Sequence, residues 1–212
     1  MVVVDAAGVL VLGAGGHGKS VVAVLLASGR QVVGVLDDAS PTWGSQLQGV
    51  PVLGPIAEVQ SHPACDLLIG LGENAARRKV AALFPEARWT RLIHPGAYVN
   101  PTARLGPGTV VFPSAVIGAD AVIGAHVIVS SHTTVGHDTV LDDFAQLAPG
   151  VQVAGGVHVG SGAMLGIGSI VCPGVRIGEN ATLAAGAVAV SDVPAGRTAF
   201  GVRARRVALD AD

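Results

Sequence analysis

Branched aliphatic residues recur at every sixth position through the second half of the chain. The series runs without a break from Val99 to Leu183, and a small or β-branched residue follows four positions after each member. A period of six fits neither the 3.6-residue turn of a helix nor the two-residue alternation of a lone strand. It is typical of hexapeptide repeats, in which each hexad forms one short strand and one corner of a parallel β-helix.

The fifteen hexads of this series predict five triangular coils whose aliphatic side chains point inward. The position directly after each aliphatic residue is often glycine, which we interpret as a corner where the backbone turns tightly. An ordinary β-sandwich is the alternative, but its loops vary in length and would interrupt a fixed register.

The first half of the chain has a different pattern, in which strands alternate with helices. Apolar runs predict strands at 9–12, 32–36 and 67–71, and helices are predicted from about 19 to 28 and around Arg77, Arg78 and Lys79. This alternation indicates a small, Rossmann-like α/β domain. We therefore place an α/β domain at residues 1–93 and the β-helix domain, with a short C-terminal tail, at 94–212.

A glycine loop, residues 13–18, follows the first strand and allows several interpretations. Gly13, Gly15 and Gly18 fit the dinucleotide fingerprint G-x-G-x-x-G, with Asp37 at a suitable distance for a ribose hydroxyl. Gly13, Gly18, Lys19 and Ser20 also fit the P-loop pattern. A loop that holds the diphosphate of a nucleotide sugar is the third interpretation, and a purely structural turn is the fourth.

The length of the domain favours the nucleotide-sugar interpretation. A dinucleotide domain needs two mononucleotide halves, and only one is present. A P-loop NTPase needs a larger sheet with a magnesium-binding aspartate on a further strand. In the favoured interpretation the loop amides and the helix N-terminus contact a diphosphate, and Asp37 or Asp38 accepts hydrogen bonds from the ribose or the base.

Composition and charge narrow the classes of function. The net charge is −2 and the pI is about 6.4, which disfavours nucleic-acid binding. The N-terminus lacks a signal-peptide pattern, and the longest helix-like apolar run, 21–27, is too short to span a bilayer. Two isolated cysteines, Cys65 and Cys172, suit a reducing compartment, so we expect a cytoplasmic protein without membrane insertion.

Several motifs in order carry a family resemblance: Gly-Ala-Gly-Gly-His-Gly-Lys, Leu-Asp-Asp, Gly-Leu-Gly-Glu-Asn-Ala-Ala-Arg-Arg, Ile-His-Pro, and hexads containing Val-Gly-His-Asp. In this order the chain resembles the sialic acid O-acetyltransferase family, which includes bacterial N-acetyltransferases of nucleotide-linked 4-amino sugars. The resemblance implies a left-handed β-helix, a homotrimer, acetyl-CoA in the groove between neighbouring prisms, and a nucleotide sugar on the N-terminal domain. Acetyl transfer of this kind requires no metal.

The same resemblance implies roles for individual residues. His137 falls on the catalytic base, with Asp138 beside it, and the Gly155 amide falls on the oxyanion donor. The implied substrate-binding residues are Gly13, Gly15, Gly16, His17, Gly18, Asp37, Asp38, Asn74 and Arg77, and those for acetyl-CoA are Ser130, Gln146, Gly155, Ile167 and Ala185. The chain departs from the family pattern at Ser130-Ser131-His132 (often Asn-Thr-Gly), at Gln146 (often histidine) and at Arg203 (usually proline).

A neutral histidine suits acetyl transfer to an amine, because its unperturbed pKa of about 6.5 leaves it available as a base. Sugar O-acetylation is the near alternative and differs in the acceptor. A metal-dependent, carbonic-anhydrase-like hydratase is more remote: His132 and His137 have a suitable spacing, but Gly96 stands where a third histidine is needed. A non-enzymatic scaffold is the last alternative. His126, His132 and His158 are interpreted as surface or interface histidines.

Overall fold

The computed structural model describes residues 8–201, and its first part is a five-stranded α/β sheet with the order β3-β4-β2-β1-β5. Strands β1, β2, β4 and β5 run parallel, and β3 pairs antiparallel with β4. Short 3-10 helices occupy Ser40–Thr42 and Ile56–Ser61. The elements are β1 (Val9–Leu12), α1 (Gly16–Ala27), β2 (Val32–Leu36), β3 (Gln46–Leu47), β4 (Val50–Gly54), β5 (Asp66–Ile69) and α2 (Asn74–Leu83).

The three sequence-predicted strands of this domain are confirmed, the first two at their predicted bounds. β1 is an unbroken apolar run because helices cover both faces of the sheet, and all four of its residues are buried. The β3–β4 hairpin was not predicted. Its turn, Gln48-Gly49, has positive φ at both residues (52° and 82°), which fits a tight two-residue hairpin.

The second part is a left-handed parallel β-helix with three faces. Face 1 contains β6 (Leu92–Ile93), β9 (Val110–Val111), β12 (Ile128–Val129), β15 (Gln146–Leu147), β18 (Met164–Leu165), β21 (Thr182–Leu183) and β23 (Thr198–Ala199). Face 2 contains β7 (Tyr98–Val99), β10 (Val116–Ile117), β13 (Thr134–Val135), β16 (Gln152–Val153), β19 (Ile170–Val171) and β22 (Val188–Ala189). Face 3 contains β8 (Arg104–Leu105), β11 (Val122–Ile123), β14 (Val140–Leu141), β17 (His158–Val159) and β20 (Arg176–Ile177).

The predicted hexad register is confirmed, and it extends beyond the predicted series at both ends. The regular spacing begins at β6 and continues to β22. The final coil is two residues shorter, because Ile177 pairs with Val193 and Thr182 with Thr198. The tail residue Arg203 lies outside the described residues.

The glycines that follow the aliphatic residues have a different role from the predicted one. From Leu105 onward, the left-handed corner residue is instead the third after the aliphatic residue, as at Asp138 (φ 56°) and Gly156 (φ 67°). At Gly136, a Cβ atom would come within 2.5 Å of the backbone of Ala154 in the next coil. These glycines are therefore required by the close stacking of coils, and the tight turn occurs two positions later.

The α/β domain packs against the side of the prism, on the lower half of face 1. The outward side chains of Leu92, Val110 and Ile128 are 1–2% exposed because they join the core cluster of helix α1. Higher on the same face, the outward side chain of Gln146 is half-buried and that of Met164 is exposed. The glycine loop at the start of α1 therefore lies beside face 1, below its open half.

Candidate active site

The glycine loop has two packed glycines and two open ones. A Cβ atom on Gly18 would lie 2.0 Å from the carbonyl oxygen of Gly13, and one on Gly13 would lie 2.6 Å from the Leu71 side chain. A Cβ atom on Gly15 or Gly16 would meet nothing within 4 Å. Because α1 begins at Gly16, earlier than predicted, the amides of its first turn border this open space. The loop therefore has the form of an anion-binding helix N-terminus.

The two aspartates after β2 hold the surrounding loops. Asp37 accepts hydrogen bonds from the amides of Ala14 (2.6 Å) and Ala39 (2.7 Å), and Asp38 accepts one from Ile56 (2.9 Å). Both also line a largely apolar cavity of roughly 660 Å³ beside α2. The cavity lies at the carboxyl ends of β2 and β5, where open α/β sheets bind ligands.

His17 connects the glycine loop to the β-helix. Its ring lies 5.6 Å from that of Phe112, centroid to centroid, and its Nε2 is buried without a hydrogen-bond partner among residues 8–201. Burial, and secondarily the charge of Arg77, lower the pKa of His17 to about 4. The ring is therefore neutral at pH 7.

Arg77 and Asn74, both predicted to bind substrate, contact the β-helix. Arg77 is 1% exposed and donates to the backbone carbonyls of Gly72 (2.8 Å), His126 (3.2 Å) and Phe144 (2.8 Å). Asn74 donates to the carbonyl of Gly162 (2.8 Å). We therefore assign Arg77 to the joint between the domains, at the corner between faces 3 and 1, because its recorded hydrogen bonds hold that corner.

His126 belongs to the same joint, which sequence patterns alone did not reveal. Its ring stacks on Phe144 (5.1 Å between centroids, 11° between planes) and meets the edge of Trp89 (4.8 Å). Burial lowers the pKa of His126 to about 4, with a further contribution from Arg77. The sequence analysis interprets His126 as a surface or interface histidine. Its position between the two domains of one chain fits the second of these.

His137 and Asp138 form a pair on the corner between faces 2 and 3. His137 Nδ1 lies 2.7 Å from Asp138 Oδ2, and both side chains are about two-thirds exposed. Because an ionised carboxylate only accepts, Nδ1 carries the proton and Nε2 keeps its lone pair. A Cβ atom on Gly155, one coil above, would lie 2.5 Å from His137 Nε2. The imidazole ring therefore packs directly against the Gly155 backbone.

The residues predicted to bind acetyl-CoA are divided between two corners of the prism. Ser130, Ile167 and Ala185 lie on the corner between faces 1 and 2, and Gln146 lies on face 1 directly above the α/β domain. Gly155 lies with His137 on the corner between faces 2 and 3. Ile167 is 63% exposed, so the first corner presents an apolar side chain to a ligand or a partner.

Two properties of the described residues concern metal binding and membrane insertion. Within residues 8–201, no three side chains of His, Cys, Asp or Glu come together as a potential metal-binding group. Neither helix in that part of the chain has the length and apolar character needed to cross a membrane.

Both parts of the chain match known protein families. Residues 8–84 match the PglD N-terminal domain, and residues 156–189 match the bacterial transferase hexapeptide repeat. The structure is similar to a perosamine N-acetyltransferase from Caulobacter crescentus, solved as a histidine-to-asparagine variant with CoA and GDP-perosamine. The TM-score is 0.86 and the identity 36%, over 92% of this chain and 94% of that one. The chain belongs to the hexapeptide-repeat sugar acetyltransferases with a PglD-type N-terminal domain.

Other proteins are similar to this chain as well. The acetyltransferase domain of PglB from Neisseria gonorrhoeae, solved with acetyl coenzyme A, is 35% identical with a TM-score of 0.85, covering 90% of this chain and 94% of that chain. WeeI from Acinetobacter baumannii shares the fold at 24% identity (TM-score 0.83, 92% and 96% coverage). An uncharacterized protein of Acanthamoeba polyphaga mimivirus is 30% identical over 87 residues, which span 41% of this chain and 17% of that protein. The predicted family and fold are confirmed.

His17 and His126, whose pKa values are both lowered, should make this acetyltransferase sensitive to acid. Both have folded-state pKa values of about 4, below the value of about 6.5 expected after unfolding. The stability that depends on their neutral form is present above pH 6.5 and is lost as the pH falls towards 4. We expect the free energy of unfolding to fall by about 2 kcal/mol per histidine between pH 7 and pH 5, measured by urea denaturation.

The control for this prediction is His126→Phe. Phe144 already adopts the left-handed backbone that His126 requires, with φ values of 61° and 55°, so an aromatic ring is compatible with this backbone. The variant should keep the stack and lose about half of the acid sensitivity. An equal pH dependence in variant and wild type would contradict the prediction for His126.

Proposed function

We propose that this acetyltransferase transfers the acetyl group of acetyl-CoA to the amino group of a nucleotide-linked amino sugar, with His137 as general base. The single observation that carries the proposal is the orientation of His137, whose Nδ1 is held by Asp138 while Nε2 lies against Gly155. The relatives solved with GDP-perosamine and with CoA or acetyl-CoA support this choice of substrates.

The chemistry requires a proton acceptor and a donor for the oxyanion, and this corner offers both. His137 Nε2 takes a proton from the amine as it attacks the thioester, and Asp138 stabilises the imidazolium that forms. The tetrahedral intermediate then breaks its C–S bond, and the imidazolium returns the proton to the departing sulfur, which leaves as the free thiol of CoA. The Gly155 amide makes no recorded hydrogen bond to another backbone group in residues 8–201, so it is available to the oxyanion. Such a donor is worth about 3 kcal/mol in the barrier.

A single chain does not complete this site. Helix α1 and the glycine loop lie against face 1, whereas His137 lies on the corner opposite that face. Ile128, the last outward residue that the α/β domain covers, belongs to the same coil as His137. A second copy beside the first, with its prism axis parallel, would therefore bring its His137 to the height of the glycine loop.

Face 2 has the composition of a surface that packs around a threefold axis. Its outward residues are uncharged: Tyr98, Val116, Thr134, Gln152, Ile170 and Val188. This face lies between the two corners that carry the predicted site residues. Three copies with face 2 towards the axis would bring the Ser130 corner of each copy to the His137 corner of the next. We therefore propose a homotrimer with acetyl-CoA between face 1 of one copy and face 3 of its neighbour.

Replacing Gly155 by alanine tests the contact beneath the proposed base. The new methyl would displace the imidazole, since its Cβ would lie 2.5 Å from His137 Nε2. Gly155 does not have a positive φ, so the backbone tolerates alanine. We expect kcat to fall about 10²-fold in wild type and to change little in a His137→Ala background, measured by thiol release. Equal losses in the two backgrounds would contradict the assignment.

The substrate is identified by a screen for thiol release from acetyl-CoA. The acceptors are UDP-, GDP- and dTDP-linked 4-amino sugars, with the matching 4-hydroxy sugars and free sialic acid as controls. We expect turnover with an amino sugar and none with its hydroxyl counterpart. Thiol release with sialic acid alone would overturn the proposal in favour of O-acetylation.

A further inference from the structure

A hydrogen-bonded row of three side chains crosses the upper part of face 3. Arg176 Nη2 donates to His158 Nδ1 (2.9 Å), and His158 Nε2 lies 2.8 Å from Asp142 Oδ2. Because the guanidinium can only donate, Nδ1 is the acceptor and Nε2–H donates to the carboxylate. Asp192 accepts from the Arg176 amide (2.8 Å) and fixes the backbone as well. The row holds one exposed arginine in a defined position.

The guanidinium of Arg176 has N–H donors that the row does not use. Within residues 8–201, its guanidinium forms no salt bridge, and His158 is its recorded acceptor. An ordered guanidinium with free N–H groups is suited to phosphate, because its planar fork matches two oxygen atoms of such an anion.

Face 3 forms one wall of the proposed groove between copies. His137 lies on the corner that begins this face, and Arg176 lies two coils above Val140, roughly 10 Å higher along the prism. With the acetyl group at His137, the rest of the donor must leave along the groove. The lower half of face 1 is closed by the α/β domain, so the open direction leads upward past Arg176.

Positive charge is scarce along this path. Between Leu105 and Gly201 the sequence has two basic residues of the Lys/Arg type, Arg176 and Arg197. CoA carries a diphosphate and a ribose phosphate, and this part of the prism offers few cations to bind them. Arg197 lies on the corner between faces 3 and 1, at the outer edge of the proposed groove, whereas Arg176 lies on the groove wall itself.

We infer that Arg176, oriented by His158 and Asp142, binds a phosphate group of acetyl-CoA held by the neighbouring copy. This inference rests on the proposed function and adds a donor-specificity residue to it. Arg176 touches the cosubstrate far from the reacting atoms, and His158 and Asp142 are positioning residues behind it.

The test compares acetyl-CoA with acetyl-pantetheine, which carries no phosphate. Arg176→Ala should raise the KM for acetyl-CoA about tenfold and change the KM for acetyl-pantetheine less than about twofold. His158→Ala should raise the KM for acetyl-CoA by a smaller factor and add nothing in an Arg176→Ala background. Arg104→Ala is the matched control, since Arg104 is exposed on the same face four coils below, and it should change neither constant.

Calorimetric titration with CoA alone separates this inference from the proposed function. CoA binding that weakens about tenfold in Arg176→Ala supports the inference even if no sugar in the screen is acetylated. Unchanged CoA binding in that variant would overturn the inference alone, and equal losses with acetyl-CoA and acetyl-pantetheine would do so too. If wild type binds no CoA, both proposals fail.

Discussion

Replacing His137 by alanine is expected to lower kcat by about 10²- to 10⁴-fold. The substitution removes the imidazole that would accept the proton of the attacking amine, and it leaves Asp138 without its partner at 2.7 Å. The KM values should change little, because the base contributes mainly to the transition state. Steady-state thiol release with the amino sugar identified by the screen measures both constants.

The structure indicates that this variant will fold. The His137 side chain is 71% exposed, and the coil is held by backbone hydrogen bonds such as that from the Gly156 amide to the His137 carbonyl (2.9 Å). His62→Ala is a suitable control, since His62 lies in the α/β domain near Cys65 and away from the glycine loop. His137 is not the base if His137→Ala has the same oligomeric state and melting temperature as wild type and also the same kcat.

The β-helix was predictable from sequence because its information is periodic. Every inward position must be filled by a residue that stacks on its equivalents one coil above and below, so a fixed spacing of aliphatic residues is unavoidable. The periodic pattern does not predict how the β-helix ends. The shortened last coil, in which Val193 pairs with Ile177, has no counterpart elsewhere in the repeat.

The roles of site residues were harder to predict, because they depend on what packs against each corner of the prism. Ser130 and His137 belong to neighbouring hexads and therefore lie on neighbouring corners, but the repeat does not show which face of the prism the α/β domain covers. Arg77 shows the same difficulty within a helix. An arginine between Ala76 and Arg78 resembles a solvent-exposed cation, and only the packing of α2 on the β-helix shows that it is buried.

Replacing Arg77 by methionine is expected to reduce the free energy of unfolding by about 3–5 kcal/mol. Methionine fills similar space, but it leaves the carbonyls of Gly72, His126 and Phe144 without the donor that now satisfies them. Although burial lowers the pKa of Arg77 to about 10, the group is still charged at pH 7, so its hydrogen bonds are charge-assisted. Urea denaturation at a fixed protein concentration, followed by tryptophan fluorescence, measures the loss.

Arg78→Met is the matched control from the same helix. Arg78 is exposed, lies 5.1 Å above the Phe144 ring and donates to Ser161 (3.1 Å), so its removal should cost less than about 1 kcal/mol. Trp89 packs against His126 at the joint and reports on its opening. Equal losses in the two variants would mean that Arg77 does not hold the domains together. A large loss confined to Arg77→Met would mean that the joint between the α/β domain and the β-helix depends on this buried side chain as well as on the core cluster around α1.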